Sequence, residues 1–167
     1  MKAAVSAAIA AGLAAIAGGL YATGSADLPV QDRQPLAFSH ELHAGRLQVS
    51  CLYCHRHAEA SRIASVPSMQ VCMTCHRALA GETAGTEALQ AAWQRGEPVT
   101  WVRLQRLPDF VYFTHEMHLR AELRCQECHG TVEGMTHTPR APTFEMGWCL
   151  TCHTRRGAST DCITCHK

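Results

Sequence analysis

FSHELHAGRLQVSCLYCH, from Phe38 to His55, is echoed by FTHEMHLRAELRCQECH, from Phe113 to His129. In each copy Phe, a small hydroxyl residue and His-x-x-His precede Cys-x-x-Cys-His by seven or eight residues. Each copy is followed by a second such motif, CMTCH at Cys72 and CLTCH at Cys149, a few residues after Pro67 and Pro142. A fifth, CITCH at Cys162, stands near the C-terminus. An internal repeat of this kind sets the architecture before any single element is considered. It predicts two modules with two motifs each, plus one appended motif.

The spacing has a chemical reason. Two Cys three apart lie on one side of a helical turn, so their sulfurs can reach the two vinyl groups of one porphyrin, and the next residue, His, projects toward its iron. In chain order the sets are Cys51/Cys54/His55 (motif 1), Cys72/Cys75/His76 (motif 2), Cys125/Cys128/His129 (motif 3), Cys149/Cys152/His153 (motif 4) and Cys162/Cys165/His166 (motif 5). They use all ten cysteines. Zinc knuckles would pair the motifs and leave one over, and zinc gives no reason for His after every second Cys. A disulfide scaffold likewise leaves the five histidines unexplained. The motifs therefore predict five covalently bound haem c groups, with His55, His76, His129, His153 and His166 as proximal ligands.

Each iron needs a sixth ligand if it is to carry electrons. Six histidines remain, namely His40, His43, His57, His115, His118 and His137. His40/His43 and His115/His118 are three apart, so on a helical turn each pair faces one side and can reach two neighbouring haems. His57 and His137 fall outside the repeat, and a surface role competes equally for them.

The rest of the chain is consistent with a haem-scaffolded protein. Aromatic residues are 6% of its 167 residues and the formal net charge is +1, which gives no electrostatic support for nucleic-acid binding. With about 28 exported residues per motif, independent apolar cores are too small, and the porphyrins are expected to supply the buried apolar surface. The expected fold is mainly α with much irregular chain. A haem-free helix is expected between the modules, N-capped by Thr86, with Leu89, Ala92 and Trp93 on one face and Gly96 and Pro98 stopping it. Thr100 to Phe113 alternates loosely and reads as an extended connection.

From Ala3 to Ala26 there is no charged residue, a run long enough to span a bilayer. It is Ala- and Gly-rich, with a small-residue cut site at Gly24-Ser25-Ala26, so a retained single transmembrane helix and a cleaved signal both fit, with the anchor preferred. Lys2 stays inside, which puts residues 27–167 on the outer face. The organisation expected is 1–26 anchor or signal, 27–37 linker, 38–84 first module, 85–112 helix and connector, and 113–167 second module with motif 5.

Beyond these residue-level readings, the run FSHELHAG, CLYCH, VPSMQVCMTCH, WVRLQRLPDFVYFTHEMH, CQECHGTVEGM and EMGWCLTCH resembles the pentahaem cytochrome c subunit of alternative complex III, a bacterial quinol-oxidising respiratory membrane assembly. The resemblance runs from about Leu36 to His166. More broadly, F-x-H-x-x-H ahead of Cys-x-x-Cys-His is similar to class III multihaem cytochromes, whose two His ligate different haems. The resemblance implies that His40, His43, His115 and His118 are distal ligands. It implies Met135 or Met146 as the fifth distal ligand, ahead of His57 and His137, which are not fixed features of that family. It also implies one N-terminal membrane helix and a place on the periplasmic side of the bacterial inner membrane. The implied neighbours are an iron–sulfur protein, polytopic membrane subunits and a monohaem cytochrome c.

The function expected is electron relay from a quinol-oxidising respiratory complex to a downstream cytochrome or oxidase, with no small-molecule substrate. A free periplasmic shuttle is the alternative. A multihaem redox enzyme fits less well, because all five motifs end in His and spare His and Met can fill every sixth position.

Overall fold

The computed structural model describes residues 34–79, 83–139 and 144–167. The expected membrane or signal segment, most of the linker after it, and Pro142 lie outside the described residues. Among the described residues no helix is long and apolar enough to cross a membrane.

The chain is helical in short pieces separated by irregular segments, with no strand among the described residues beyond one isolated bridge, Val111 to His166. A π-helical turn, Glu41–Arg46, carries the first His-x-x-His. Then come α1 (Cys51–Cys54), a 3-10 turn (Arg56–Glu59), α2 (Met69–His76) and α3 (Ala84–Arg95). The second half holds α4 (His115–Arg120), α5 (Gln126–His129), a 3-10 turn (Val132–Gly134), α6 (Met146–Arg156) and α7 (Cys162–Cys165). Motif 2 lies within α2 and motif 4 within α6, while α1, α5 and α7 are single turns at motifs 1, 3 and 5. The stretch before Phe113 carries no helix or strand beyond the bridge at Val111.

The haem-free helix α3 starts three residues earlier than expected. Thr83, not Thr86, is the N-cap, and Thr86 at the third helical position completes a reciprocal capping box with it. Two hydroxyl residues three apart can satisfy two orphan N–H groups together, which one cap cannot. The C-terminal end is as the sequence predicts. Gly96 is left-handed (φ 68°), its N–H donates to Trp93 O at 3.1 Å, and Glu97 N–H donates to Ala92 O at 3.0 Å. Leu89 is buried and Arg77 of the motif 2 segment lies 5.6 Å over the Trp93 ring, so α3 packs against α2.

Side-chain packing does little else. Among the described residues only Ala58, Met73 and Leu89 are buried apolar side chains, while Ile163 is 81% exposed and Leu79 64%. A chain of this length normally closes a far larger core, so the missing apolar surface must come from something other than side chains.

The two copies of the repeat also repeat in backbone detail. Gln48 and Glu122, each three residues before its first Cys, have φ near +57° (55° and 59°). One residue later, Val49 N–H donates to His43 O at 2.9 Å and Leu123 N–H to His118 O at 3.2 Å. This tight reversal turns the chain from each His-x-x-His back toward its own Cys-x-x-Cys-His.

Candidate metal centres

Four histidine pairs face each other. The His40 and His55 ring centres are 6.5 Å apart and nearly parallel at 15°, and His115 and His129 are 6.3 Å apart at 12°. His43 and His76 stand 6.1 Å apart at 44°, and His118 and His153 6.1 Å apart at 53°. Each pair joins one residue of a His-x-x-His to the His of a Cys-x-x-Cys-His. Within each turn the two histidines diverge around one phenylalanine. Phe38 lies edge-on to His40 at 4.9 Å and stacks on His43 at 4.5 Å, and Phe113 lies edge-on to His115 at 4.8 Å and tilted by 35° to His118 at 4.6 Å.

The separation has a direct chemical meaning. With about 2.0 Å per metal–imidazole bond and about 1.1 Å from nitrogen to ring centre, two rings across one metal stand roughly 6.2 Å apart. The four observed gaps match. Direct ring packing would bring the centres closer, as it does for Phe38 and His43. Among the described residues no group of three or more His, Cys, Asp or Glu comes together as a metal cluster, and none of the ten cysteines is in a disulfide. The donor set is therefore one imidazole on either side of each gap with two thiols beside it. The spacing suits haem c, because two imidazoles on one tetrahedral zinc ion would bring the ring centres to roughly 5 Å.

Hydrogen bonds orient the rings. His43 Nδ1 bonds Ser39 O and His118 Nδ1 bonds Thr114 O, both at 2.8 Å. His40 Nδ1 bonds Thr138 Oγ1 at 3.0 Å, and His115 Nδ1 bonds Arg62 O at 2.9 Å. On the motif side, His55 Nδ1 bonds Ser65 O and His153 Nδ1 bonds Ser159 O, both at 2.6 Å. With Nδ1 engaged, Nε2 is left for a metal, and an Nδ1–H donated to a carbonyl makes the ring a better ligand. His76 differs, because its Nδ1 is buried without a hydrogen-bond partner. Burial holds His40 below the usual imidazole range, helped by His55 and His43, and burial lowers His129 likewise, helped by His115 and His55. Both shifts favour the neutral, ligating form.

The thiols cluster between motifs. Cys125 is pushed up first by burial and then by the charge of the nearby Cys51 thiol. Burial also raises Cys54, with Cys72 and Cys51 next in effect, and Cys128, with Cys152 next. Cys149 is raised by burial and then by Cys165.

The ten cysteines expected as attachment points are not equally enclosed. Cys51, Cys75 and Cys162 are exposed, whereas the other seven are half-buried. Cys75 lies on α2 one residue before His76, with Thr74 Oγ1 donating to its Sγ at 3.9 Å. The two thiols of motif 2 thus differ, Cys72 being half-buried with its Sγ 3.9 Å from Ser68 O and Cys75 facing solvent. A thioether forms at the edge of a porphyrin, so an attachment thiol needs access to that edge and not burial among side chains.

The fifth motif has a different surrounding. The ring beside His166 is Phe110, at 5.8 Å and 29°. The four residues the sequence offers as a fifth distal ligand are scattered. Met146 is 65% exposed at the start of α6. Met135 is half-buried, and its Cε lies 3.8 Å from where a Cβ on Gly130 would stand. His57 and His137 are exposed.

Backbone contacts that the sequence does not single out hold the site together across the repeat. Glu41 N–H donates to Met135 O at 2.9 Å, and Glu116 N–H donates to Ser61 O at 3.4 Å. Met135 is six residues past His129, and Ser61 is six residues past His55. Each His-x-x-His turn is thus pinned by the loop after the other module's first motif.

Residues 21–103 match the class III cytochrome c family, and residues 111–167 match cytochrome c7 and related cytochromes c. Both halves are similar to multihaem cytochromes c. A curated relative is the multihaem cytochrome c subunit of menaquinone reductase from Nitratidesulfovibrio vulgaris, 27% identical over 166 residues, covering 82% of this chain and 78% of the relative. The shared class is the multihaem cytochrome c, which carries covalent haem c and transfers electrons.

Proposed function

We propose that this chain is a five-haem c-type cytochrome that relays electrons on the periplasmic face of a respiratory membrane complex. The observation that carries the reading is the set of four imidazole pairs spaced for a shared metal, each beside one Cys-x-x-Cys-His motif. The residues that would hold the haems are the ten motif cysteines, His55, His76, His129, His153 and His166 on one side, and His40, His43, His115 and His118 on the other. Met135 or Met146 is the preferred fifth distal ligand, ahead of His57 and His137. When bound, haem c supplies one-electron redox chemistry.

The chain's own contribution is positional. Phe38 and Phe113 hold the two imidazoles of each turn apart, so that they serve separate haems. The Nδ1 hydrogen bonds fix ring direction and set ligand basicity. Filling every sixth position leaves no site for a substrate, which favours a relay over an enzyme.

Membership of a complex rests on the resemblance to the alternative complex III subunit and on the apolar residues 3–26. The expected partners are an iron–sulfur protein, polytopic quinol-site subunits and a monohaem cytochrome c. The relative named as a menaquinone reductase subunit favours a second reading, in which electrons run toward quinone. Mild-detergent extraction followed by native electrophoresis with haem staining tests membership, and a large membrane-derived band is expected. A soluble band of monomer size with an N-terminus at Asp27 would replace the complex with a free shuttle. Adding quinol to the isolated complex decides direction. Haem reduction supports quinol oxidation, and reduction only by a cytochrome-side donor supports the reverse.

A further inference from the structure

We propose that the five attachment sites stand in single file in the order 2–1–3–4–5, which makes motifs 2 and 5, and not motifs 1 and 5, the two ends where redox partners exchange electrons with the chain. The inference rests on the relay reading above and adds the route.

Within each module the link is the shared histidine turn. His40 and His43 flank Phe38 and face His55 and His76, and Tyr53 of motif 1 hydrogen-bonds Thr74 of motif 2 at 2.8 Å. In the second module His115 and His118 flank Phe113 and face His129 and His153, and Arg156 pairs with Glu127 between motifs 4 and 3.

The decisive link is between modules. Chain order would place motif 2 next to motif 3. The structure instead brings motif 1 to motif 3 through a reciprocal set of contacts. The loop after motif 1 holds His115, by Arg62 O to His115 Nδ1 and Ser61 O to Glu116 N–H. The loop after motif 3 holds His40, by Thr138 Oγ1 to His40 Nδ1 and Met135 O to Glu41 N–H. Contacts exchanged between equivalent positions are the mark of a two-fold relation, here internal to one chain. The residues nearest that relation are those of motifs 1 and 3, whose following loops exchange these contacts. Motifs 2 and 4 are on the outside of the pair.

Motif 5 extends the file beyond motif 4. Ser159 O accepts from His153 Nδ1, and Ser159 Oγ bonds Thr164 Oγ1 inside motif 5 at 3.0 Å. Tyr112 N–H donates to Cys165 O at 2.6 Å, which ties motif 5 to the segment leading into the His115/His118 turn. The far ends differ. Motif 2 is backed by α3, whereas motif 5 displays Ile163 and Phe110, 81% and 60% exposed. An apolar rim beside an exposed ligand turn suits a docked redox partner. In such a file one electron enters at one end from a one-electron donor and one leaves at the other to a one-electron acceptor, so the chain is unchanged overall.

Anomalous diffraction at the iron edge from crystals of the full haem-loaded chain, or cryo-electron microscopy of its complex, reads the order directly. Each iron is assigned by its attachment cysteines. The expected result is that the iron of motif 3 has those of motifs 1 and 4 as its nearest neighbours, with the iron of motif 2 adjacent to motif 1 alone. A motif 2 iron nearer to motif 3 than motif 1 is, or a motif 5 iron adjacent to motif 2, would overturn the order. Iron positions are read without any electron transfer, so a failure of the relay reading would leave this result unaffected.

Discussion

Replacing Thr138 by Val removes one hydrogen-bond acceptor from His40 and almost nothing else. The side chains are close in volume, and Thr138 Oγ1 meets His40 Nδ1 at 3.0 Å between half-buried residues. With Nε2 directed at a metal, Nδ1 carries the proton and donates to the hydroxyl. That donation increases electron density on the ring and favours the oxidised iron. A neutral hydrogen bond of this kind contributes about 0.5–1.5 kcal/mol net. At about 59 mV per 1.4 kcal/mol for one electron, its loss should raise one haem potential by roughly 20–60 mV. Potentiometric titration followed by electron paramagnetic resonance can read it, because the affected haem changes its own signal. Thr138→Ser keeps the hydroxyl and should restore the potential. A downward shift, or no shift of any haem, would refute the assignment of His40 as a ligand steered from the other module.

Three further outcomes follow from the same geometry. His115→Ala should convert one haem to a high-spin or water-ligated form while the others keep their spectra, read by optical and magnetic resonance spectra; an unchanged spectrum removes His115 from the ligand set. Gly45→Ala places a methyl group against the Glu133 carbonyl oxygen, where the backbone of the first module closely approaches the second. The clash should cost about 1–3 kcal/mol, seen as a lower thermal midpoint of the holoprotein, and an unaltered midpoint would show that the modules do not meet there. The haem at His76, whose Nδ1 lacks the carbonyl partner that His55 and His153 have, should have a higher potential than the haems at motifs 1 and 4. A ten- to hundredfold ligand effect corresponds to roughly 60–120 mV, and His76→Met, which changes that haem's spectrum, identifies it in the titration.

The repeat made half of the site legible. F-x-H-x-x-H and Cys-x-x-Cys-His place side chains that must be Phe, His or Cys to function, and the structure brings His40, His43, His115 and His118 opposite four of the five motif histidines. The motif pattern does not distinguish one thiol from another, so the exposure of Cys51, Cys75 and Cys162 beside seven half-buried partners is set by what packs around each turn. The cross-module contacts were hidden for a physical reason. Ser61, Arg62 and Met135 contribute carbonyl oxygens, which every residue type has, so SRIAS after motif 1 and MTHTP after motif 3 share no side-chain signature. Only their equal offset from His55 and His129 could have exposed them. Thr138 and Arg62 also make side-chain contacts there, Arg62 Nε donating to Phe113 O at 3.3 Å, but a lone threonine or arginine carries no signal. Thr83 and Thr86 are both competent caps, and their mutual hydrogen bonding, which the sequence does not show, puts the start of α3 three residues ahead of Thr86. The fifth distal ligand is not decided by pattern, because His57 and His137 fall outside the repeat while Met146 has a counterpart in Met69, each three residues before the first Cys of its motif.

Five complete attachment motifs should become five covalent haems. Mass spectrometry of the denatured, purified chain, expressed with full maturation machinery, measures this directly. The predicted result is a mass excess of five haems, with every motif peptide carrying its haem on both cysteines. An excess of four or fewer, with an unmodified peptide from any motif, would contradict it.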